Sequence, residues 1–167
     1  GGAGGASSAP GGVAAPDVLV VGSGAAGLVA TLRLLDAGAT VTLLDKEKRV
    51  GGNSAKASSG INGCCPPHSR TPANAADSVS AFADDTARSA RRSRANNSLL
   101  ELVTSRSEGA IRWLTTRTRI DLSKVAQLGG HSHARTHWPS NGMIGAEIIF
   151  ALQKEVRKFE ASGRLTM

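Results

Sequence analysis

The stretch VGSGAAGL, Val21 to Leu28, decides the fold, because an apolar run leads into it and a helical pattern leads out of it. Upstream, Val18 to Val21 is continuously apolar, as in a strand buried on both faces. Downstream, Leu28 to Ala37 repeats its large apolar residues at helical spacing, with Leu28, Leu32 and Leu35 on one face. Gly38 is placed to stop that helix, and Thr40 to Asp45 reads as a second strand. Strand, tight turn, helix, strand is a βαβ unit, which requires a parallel strand pair.

The glycines then acquire separate jobs. Gly22 permits the tight turn out of the strand, Gly24 leaves room for backbone to approach a pyrophosphate, and Gly27 lets the helix pack on the strand. The start of the helix offers N–H groups without carbonyl partners and the positive end of its dipole. Asp45 closes the second strand roughly 20 residues further on, where its carboxylate accepts from both ribose hydroxyls and repels a 2′-phosphate. The ligand expected is a dinucleotide with a free ribose, FAD or NAD.

The other function classes are weaker. Formal net charge is +7, densest in ARSARRSRANN, Ala87 to Asn97. The chain has no Tyr, and the run has no aromatic to stack a base, so no nucleic-acid partner is expected. The only two cysteines, Cys64 and Cys65, are adjacent and form no CxxC, which argues against a disulfide scaffold. His131, His133 and His137 in GGHSHARTH tempt a metal reading, but no Cys or carboxylate accompanies them, so no metal is expected. No apolar stretch reaches the roughly 18 residues of a membrane span.

Gly1 to Pro16 is uncharged and rich in Gly and Ala, a flexible leader or linker, and residues 17–167 form the folded part. Cys64 to Ala76 reads as a surface loop. Helices are expected at about Asp77 to Ala90 and from a Ser98 cap through Leu99, Leu102, Val103, Ala110, Ile111 and Leu114, with Trp113 as core. Asp121 to Gly142 reads as irregular. A last helix spans about Met143 to Ser162, burying Ile144, Ile148, Leu152, Val156 and Phe159. The ending SGRLTM resembles a helix stop and the start of a strand, as in a piece of a longer protein.

Gly51-Gly52, one short loop beyond Asp45, resembles the extended FAD signature of the glutathione-reductase-like flavoproteins. VGGNSAKASSGING, Val50 to Gly63, is more specific. It resembles the flavin-binding segment of the fumarate reductase and succinate dehydrogenase flavoproteins, nearest in detail to the soluble fumarate reductases of eukaryotes. DSVSAFADDTARSA, SEGAIRWL and DLSKVAQLGGHSHARTHWPSNGMIGAEI match later segments in the same order, so the resemblance runs from Ala15 to Met167.

That resemblance implies an α/β fold: a Rossmann-like, three-layer FAD-binding domain with a parallel sheet and inserted helices, incomplete in this chain. It implies that Gly22, Gly24 and Gly27, with the amides of Ser23, Ala25 and Ala26, hold the pyrophosphate. Asp45, where the family usually has Glu, takes the adenosine ribose, and Lys46 lies near the adenine. Gly52, Asn53, Ser54, Lys56, Ser58, Ser59, Gly60 and Ile61 line the flavin and ribityl chain. Asn53 stands where membrane-bound succinate dehydrogenases carry a His bonded to FAD, so non-covalent FAD is implied. The family usually has Arg at the position of Trp138.

The implied activity is hydride transfer from reduced flavin to fumarate, with a small dicarboxylate, fumarate or succinate, as substrate partner. The motifs that bind dicarboxylate and deliver the proton do not occur in this chain, nor does the family's final FAD segment. No catalytic residue is assigned here, and the chain alone is expected to be inactive. L-aspartate oxidases, urocanate reductases and ketosteroid dehydrogenases share much of the flavin frame and remain alternatives, as does a truncated, non-catalytic FAD-binding fragment. The electron donor is open, and a soluble intracellular location, cytoplasmic or mitochondrial, is the expectation.

Overall fold

The computed structural model describes residues 15–64, 66–91 and 95–167. The leader up to residue 14, Cys65 and the middle of the basic run therefore lie outside the described residues. Strand β1, Val18–Val21, enters the glycine turn, and helix α1, Ala25–Asp36, leaves it. The helix begins three residues earlier than its apolar spacing implies, because Gly24 supplies an extended N-cap (φ −64°, ψ 178°) directly after the turn. It ends in a Schellman motif: Gly38 N–H donates to Leu35 O at 3.1 Å and Ala39 N–H to Leu34 O at 3.0 Å. Gly38 takes the positive φ of 100° that this ending requires.

Strand β2, Val41–Leu44, runs parallel to β1 in the register Val18↔Val41 to Val21↔Leu44. Strand β6, Leu165–Thr166, adds to the far edge of β2, also parallel, giving the order β1-β2-β6. Helix α4, Ile144–Arg157, packs on α1, which lies against the sheet, and shares its core. Leu28, Leu32 and Leu35 of α1, Val41 and Leu43 of β2, Ile144, Ile149, Leu152 and Val156 of α4, and Leu165 make the main core. The described residues thus form an α/β fold on a parallel sheet.

Four sequence expectations are corrected. First, β1 is not buried on both faces: Leu19 is 56% and Val21 78% exposed, and Leu44 beside them is 47% exposed. Period 2 sends these side chains away from the helices, and among the described residues no layer covers that side. Second, helix α3, Asn97–Thr118, is capped by Asn96, whose Oδ1 accepts from Leu99 N–H at 3.2 Å, not by Ser98. Its inward positions are Thr104, Ser107, Ile111 and Leu114, while Leu99, Leu102 and Val103 stay exposed. Small hydroxyl residues face inward because the backbone at Gly63 and Cys64 packs there. Ser107 Oγ accepts from Cys64 N–H at 2.9 Å, and a Cβ on Gly63 would sit 2.2 Å from Ile111 Cδ1.

Third, the stretch read as irregular carries two strands, β4, Lys124–Ala126, and β5, Thr136–Trp138. With β3, Ile61–Asn62, they form an antiparallel sheet of order β3-β5-β4. Strands of two or three residues are too short to show alternation. Fourth, the loop after Cys64 is not all surface: it contains 3₁₀ turns at Pro67–Ser69 and Pro72–Asn74, around a fully buried Asn74. Asn74 Oδ1 accepts from Thr71 N–H at 2.7 Å, and its Nδ2 donates to Ser69 O at 3.0 Å. Helix α2, Val79–Ala90, follows and packs on α3.

Candidate functional site

The site is assembled from the glycine turn outward. Gly22 adopts φ 99° and its N–H donates to Leu44 O at 2.7 Å, continuing the parallel ladder into the turn. Gly27 serves the packing of the fold itself: a Cβ there would lie 1.8 Å from Gly22 O. Gly24 differs, since a Cβ there would meet Ser54 Oγ at an ordinary 3.5 Å. Packing among the described residues makes small demand on Gly24. Beside it the first-turn N–H groups of α1, including Ala26, have no helical carbonyl to bond.

Ser23, buried, ties three segments together. Its N–H donates to Asp45 Oδ2 at 2.6 Å, its hydroxyl donates to the same oxygen, and its Oγ accepts from Gly51 N–H at 3.3 Å. Asp45 Oδ1 accepts from Glu47 N–H at 2.9 Å. The Ser23 hydroxyl and the Glu47 and Ser23 amides hold the Asp45 carboxyl down at about 2, so it is ionised at neutral pH. The Ser23 amide, expected at the pyrophosphate, is thus directed to Asp45. The Ala25 amide donates to Ser54 Oγ at 3.2 Å.

The second glycine pair turns the chain back against this cradle. Gly51 (φ 122°) and Gly52 (φ 50°) lead into a 3₁₀ helix, Gly52–Lys56, and a Cβ on Gly52 would be 4.0 Å from Gly24 Cα. Gly22, Ser23, Gly24, Asp45, Gly52 and Ser54 are therefore one neighbourhood. Asn53 and Lys56 are exposed on the 3₁₀ helix, with Lys56 Nζ 3.5 Å from Asn53 Oδ1, and Lys46 is exposed beyond Asp45. Ser58, Ser59, Gly60 and Ile61 continue from this helix onto the antiparallel sheet.

Several residues that hold this arrangement were not singled out from the sequence. Gly145, in the first turn of α4, lets that helix touch the 3₁₀ segment: its N–H donates to Ala57 O at 2.9 Å, and a Cβ would be 2.1 Å from Ser54 O. A glycine inside an apolar helical pattern was the available hint. Arg135, Asp77 and Asp85 form a buried ionic cluster below β5. Burial pushes the Asp85 carboxyl up, but the Ser132 amide, Arg135 and the Ser132 hydroxyl outweigh it and hold it well below the usual range. The three histidines do not converge. His137 is buried with Nδ1 3.1 Å from Leu122 O, and His131 Nδ1 is 3.1 Å from Arg135 Nη1.

A glycine cradle at a helix start, with an ionised carboxylate at the end of the neighbouring strand, defines a dinucleotide-binding domain. The family model described as FAD binding domain matches residues 17–165, and the chain belongs to that family, with FAD as its cofactor. The chain is 40% identical over 145 residues to the fumarate reductase of Schizosaccharomyces pombe, covering 86% of this chain and 28% of that protein. It is 42% identical over 143 residues to fumarate reductase 1 of Saccharomyces cerevisiae, covering 84% and 30%. A solved flavocytochrome c3 fumarate reductase in its open conformation superposes over 90% of this chain and 26% of its own, with TM-score 0.76 and 32% identity. The chain thus spans less than a third of the length of these relatives.

Proposed function

We propose that this chain is the nucleotide-binding portion of an FAD-dependent oxidoreductase of the fumarate reductase type, acting on the CH–CH bond of a small dicarboxylate. The observation that carries the reading is the docking of the Gly51–Lys56 segment against the Gly22–Gly27 cradle through Ser23 and Ser54, in a chain 40–42% identical to two yeast fumarate reductases. When bound, FAD supplies hydride transfer, which no side chain of this portion provides.

The chain's own residues bind and orient. The first-turn N–H groups of α1 beyond Ala25 would donate to the diphosphate, and Gly24 would give it access. Asp45 accepts from the adenosine ribose, its charge secured by Ser23, and Lys46 lies beside the adenine. Asn53, Ser54, Lys56, Ser58, Ser59, Gly60 and Ile61 line the ribityl chain and the ring. Asn53 carries no nucleophilic ring nitrogen, so FAD is held without a covalent bond. Residues 17–167 are the folded part, and the groups that clamp the dicarboxylate and deliver its proton belong to other parts of the complete enzyme. Among the described residues no helix is long and apolar enough to cross a membrane.

The test uses the full-length protein. Its flavin, reduced anaerobically with dithionite, should be reoxidised by fumarate, and acid precipitation should release all flavin to the supernatant. Reoxidation by another acceptor but not by fumarate overturns the substrate class. Flavin retained in the pellet overturns the role of Asn53.

A further inference from the structure

The segment that lines the flavin in the reading above, Ser58 to Ile61, lies directly on β5. Gly60 has φ 91°, and a Cβ there would be 2.4 Å from Thr136 Cγ2 and 3.0 Å from Trp138 Cε2. Trp138 Nε1–H donates to Ser58 O at 3.4 Å, and the Thr136 hydroxyl donates to Asn62 Oδ1 at 2.7 Å. Ile61 pairs with His137, and Gly63 N–H donates to Arg135 O at 3.0 Å. Ser58–Ile61 and β5 are thus in direct contact through backbone and side chains.

What fixes β5 is the residue just before it. Arg135 is fully buried, and its guanidinium spans two separate segments. Nη2 donates to Asp77 Oδ1 at 2.5 Å, and Nε lies 3.1 Å from the same oxygen. Nη1 donates to Asp85 Oδ2, on α2, at 2.5 Å. Its carbon stands 5.0 Å from the Phe82 ring centroid. Asp85 Oδ2 also accepts from Ser132 N–H at 2.7 Å and from its hydroxyl at 2.8 Å, and Asp85 Oδ1 accepts from Arg88 Nη1 at 2.9 Å. Two arginines face two carboxylates, so the cluster is neutral as a whole.

A buried ion cluster is a poor source of stability, since removing its charges from water offsets their attraction, but its fixed hydrogen-bond geometry specifies position. We infer that Arg135, with Asp77 and Asp85, is a positioning device for the flavin, setting the place of β5 and through it of Ser58–Ile61. This rests on the flavin reading of that segment. Arg135 touches no ligand; it acts through Thr136, Trp138 and Gly60.

The test compares FAD-loaded full-length wild type with Asp85→Asn and Thr136→Val. Asp85→Asn keeps the shape but removes one charge, and Thr136→Val removes only the hydroxyl link to Asn62, in case the first variant folds poorly. Three quantities are read: the FAD dissociation rate, the flavin midpoint potential and the melting temperature of the apoprotein. Displacing a supporting group typically costs an order of magnitude, so FAD should leave about tenfold faster from each variant, with a shifted potential. For Thr136→Val the apoprotein melting temperature should fall by no more than about 5 °C, the cost of one lost hydrogen bond. Variants that lose only melting temperature, with FAD release and potential unchanged, overturn the positioning role and leave the flavin reading intact. A full-length wild type that binds no FAD overturns both.

Discussion

Gly27→Ala and Gly24→Ala separate what the glycine cradle does for the fold from what it does for the ligand. At Gly27 the new Cβ would sit 1.8 Å from Gly22 O and 2.9 Å from Gly22 C. The carbonyl belongs to a residue at φ 99° whose own N–H is bonded to Leu44 O, so it has nowhere to retreat. Helix α1 must move off the strand by about 1.2 Å to bring the contact to the 3.0 Å that such carbons tolerate. Overpacking of this kind costs about 3 kcal/mol. Alanine's better helix propensity returns about 1 kcal/mol, leaving a net loss of about 2 kcal/mol. With a urea slope of about 2 kcal/mol/M, the unfolding midpoint should fall by about 1 M. At Gly24 the nearest atom is 3.5 Å away and the backbone is one that alanine adopts. A gain of about 0.5 kcal/mol from the less flexible unfolded chain offsets a similar loss of N-cap preference, so the midpoint should not move. FAD binding should weaken in both. Urea unfolding followed by circular dichroism, with FAD titration of the full-length protein, reads the two effects. An unchanged midpoint for Gly27→Ala, or an equal fall for Gly24→Ala, refutes the reasoning.

Asp45 titrates at about 2 in the folded chain against an ordinary 3.8, so the stability it contributes is complete above pH 3.8 and is lost as pH falls toward 2. Ser23→Ala should raise the Asp45 carboxyl toward its ordinary value, followed by carbon NMR of the side-chain carboxyl, and should flatten that part of the acid-unfolding curve. On α3, Leu102→Ala should cost less than about 0.5 kcal/mol because the side chain is exposed. Ile111→Ala on the same helix should cost about 3 kcal/mol, measured by urea unfolding. Gly145→Ala should push α4 away from Ser54, lowering the melting temperature and weakening FAD binding in the full-length protein together.

The glycine turn, its helix and the acid at the end of β2 were legible because each depends on residues close in sequence. Gly22 and Gly38 mark positive φ, Gly27 marks a close crossing, and Leu28, Leu32 and Leu35 mark one helical face. The resemblance carried by Val50 to Gly63 added the segment proposed to line the flavin. What escaped was set by contacts between distant segments. The α3 pattern was read from its apolar residues, but Ser107 faces inward because Gly63 and Cys64 pack against it. β4 and β5 exist because β5 pairs with β4 on one side and β3 on the other, not because Lys124–Ala126 or Thr136–Trp138 favours a strand alone.

By itself the sequence determined a βαβ unit with a glycine turn at its helix start and an acid at the end of its second strand. Those features follow from backbone stereochemistry and short-range periodicity, which a linear pattern records. Only the tertiary structure decided that Ser23 bridges Asp45 and Gly51, that Gly145 seats α4 on the 3₁₀ segment, and that Arg135 joins Asp77 and Asp85 beneath β5. A hydrogen bond or ion pair between segments 28, 50 or 58 residues apart has no period, and hydroxyls and charges satisfied in this way look in sequence like any solvated surface.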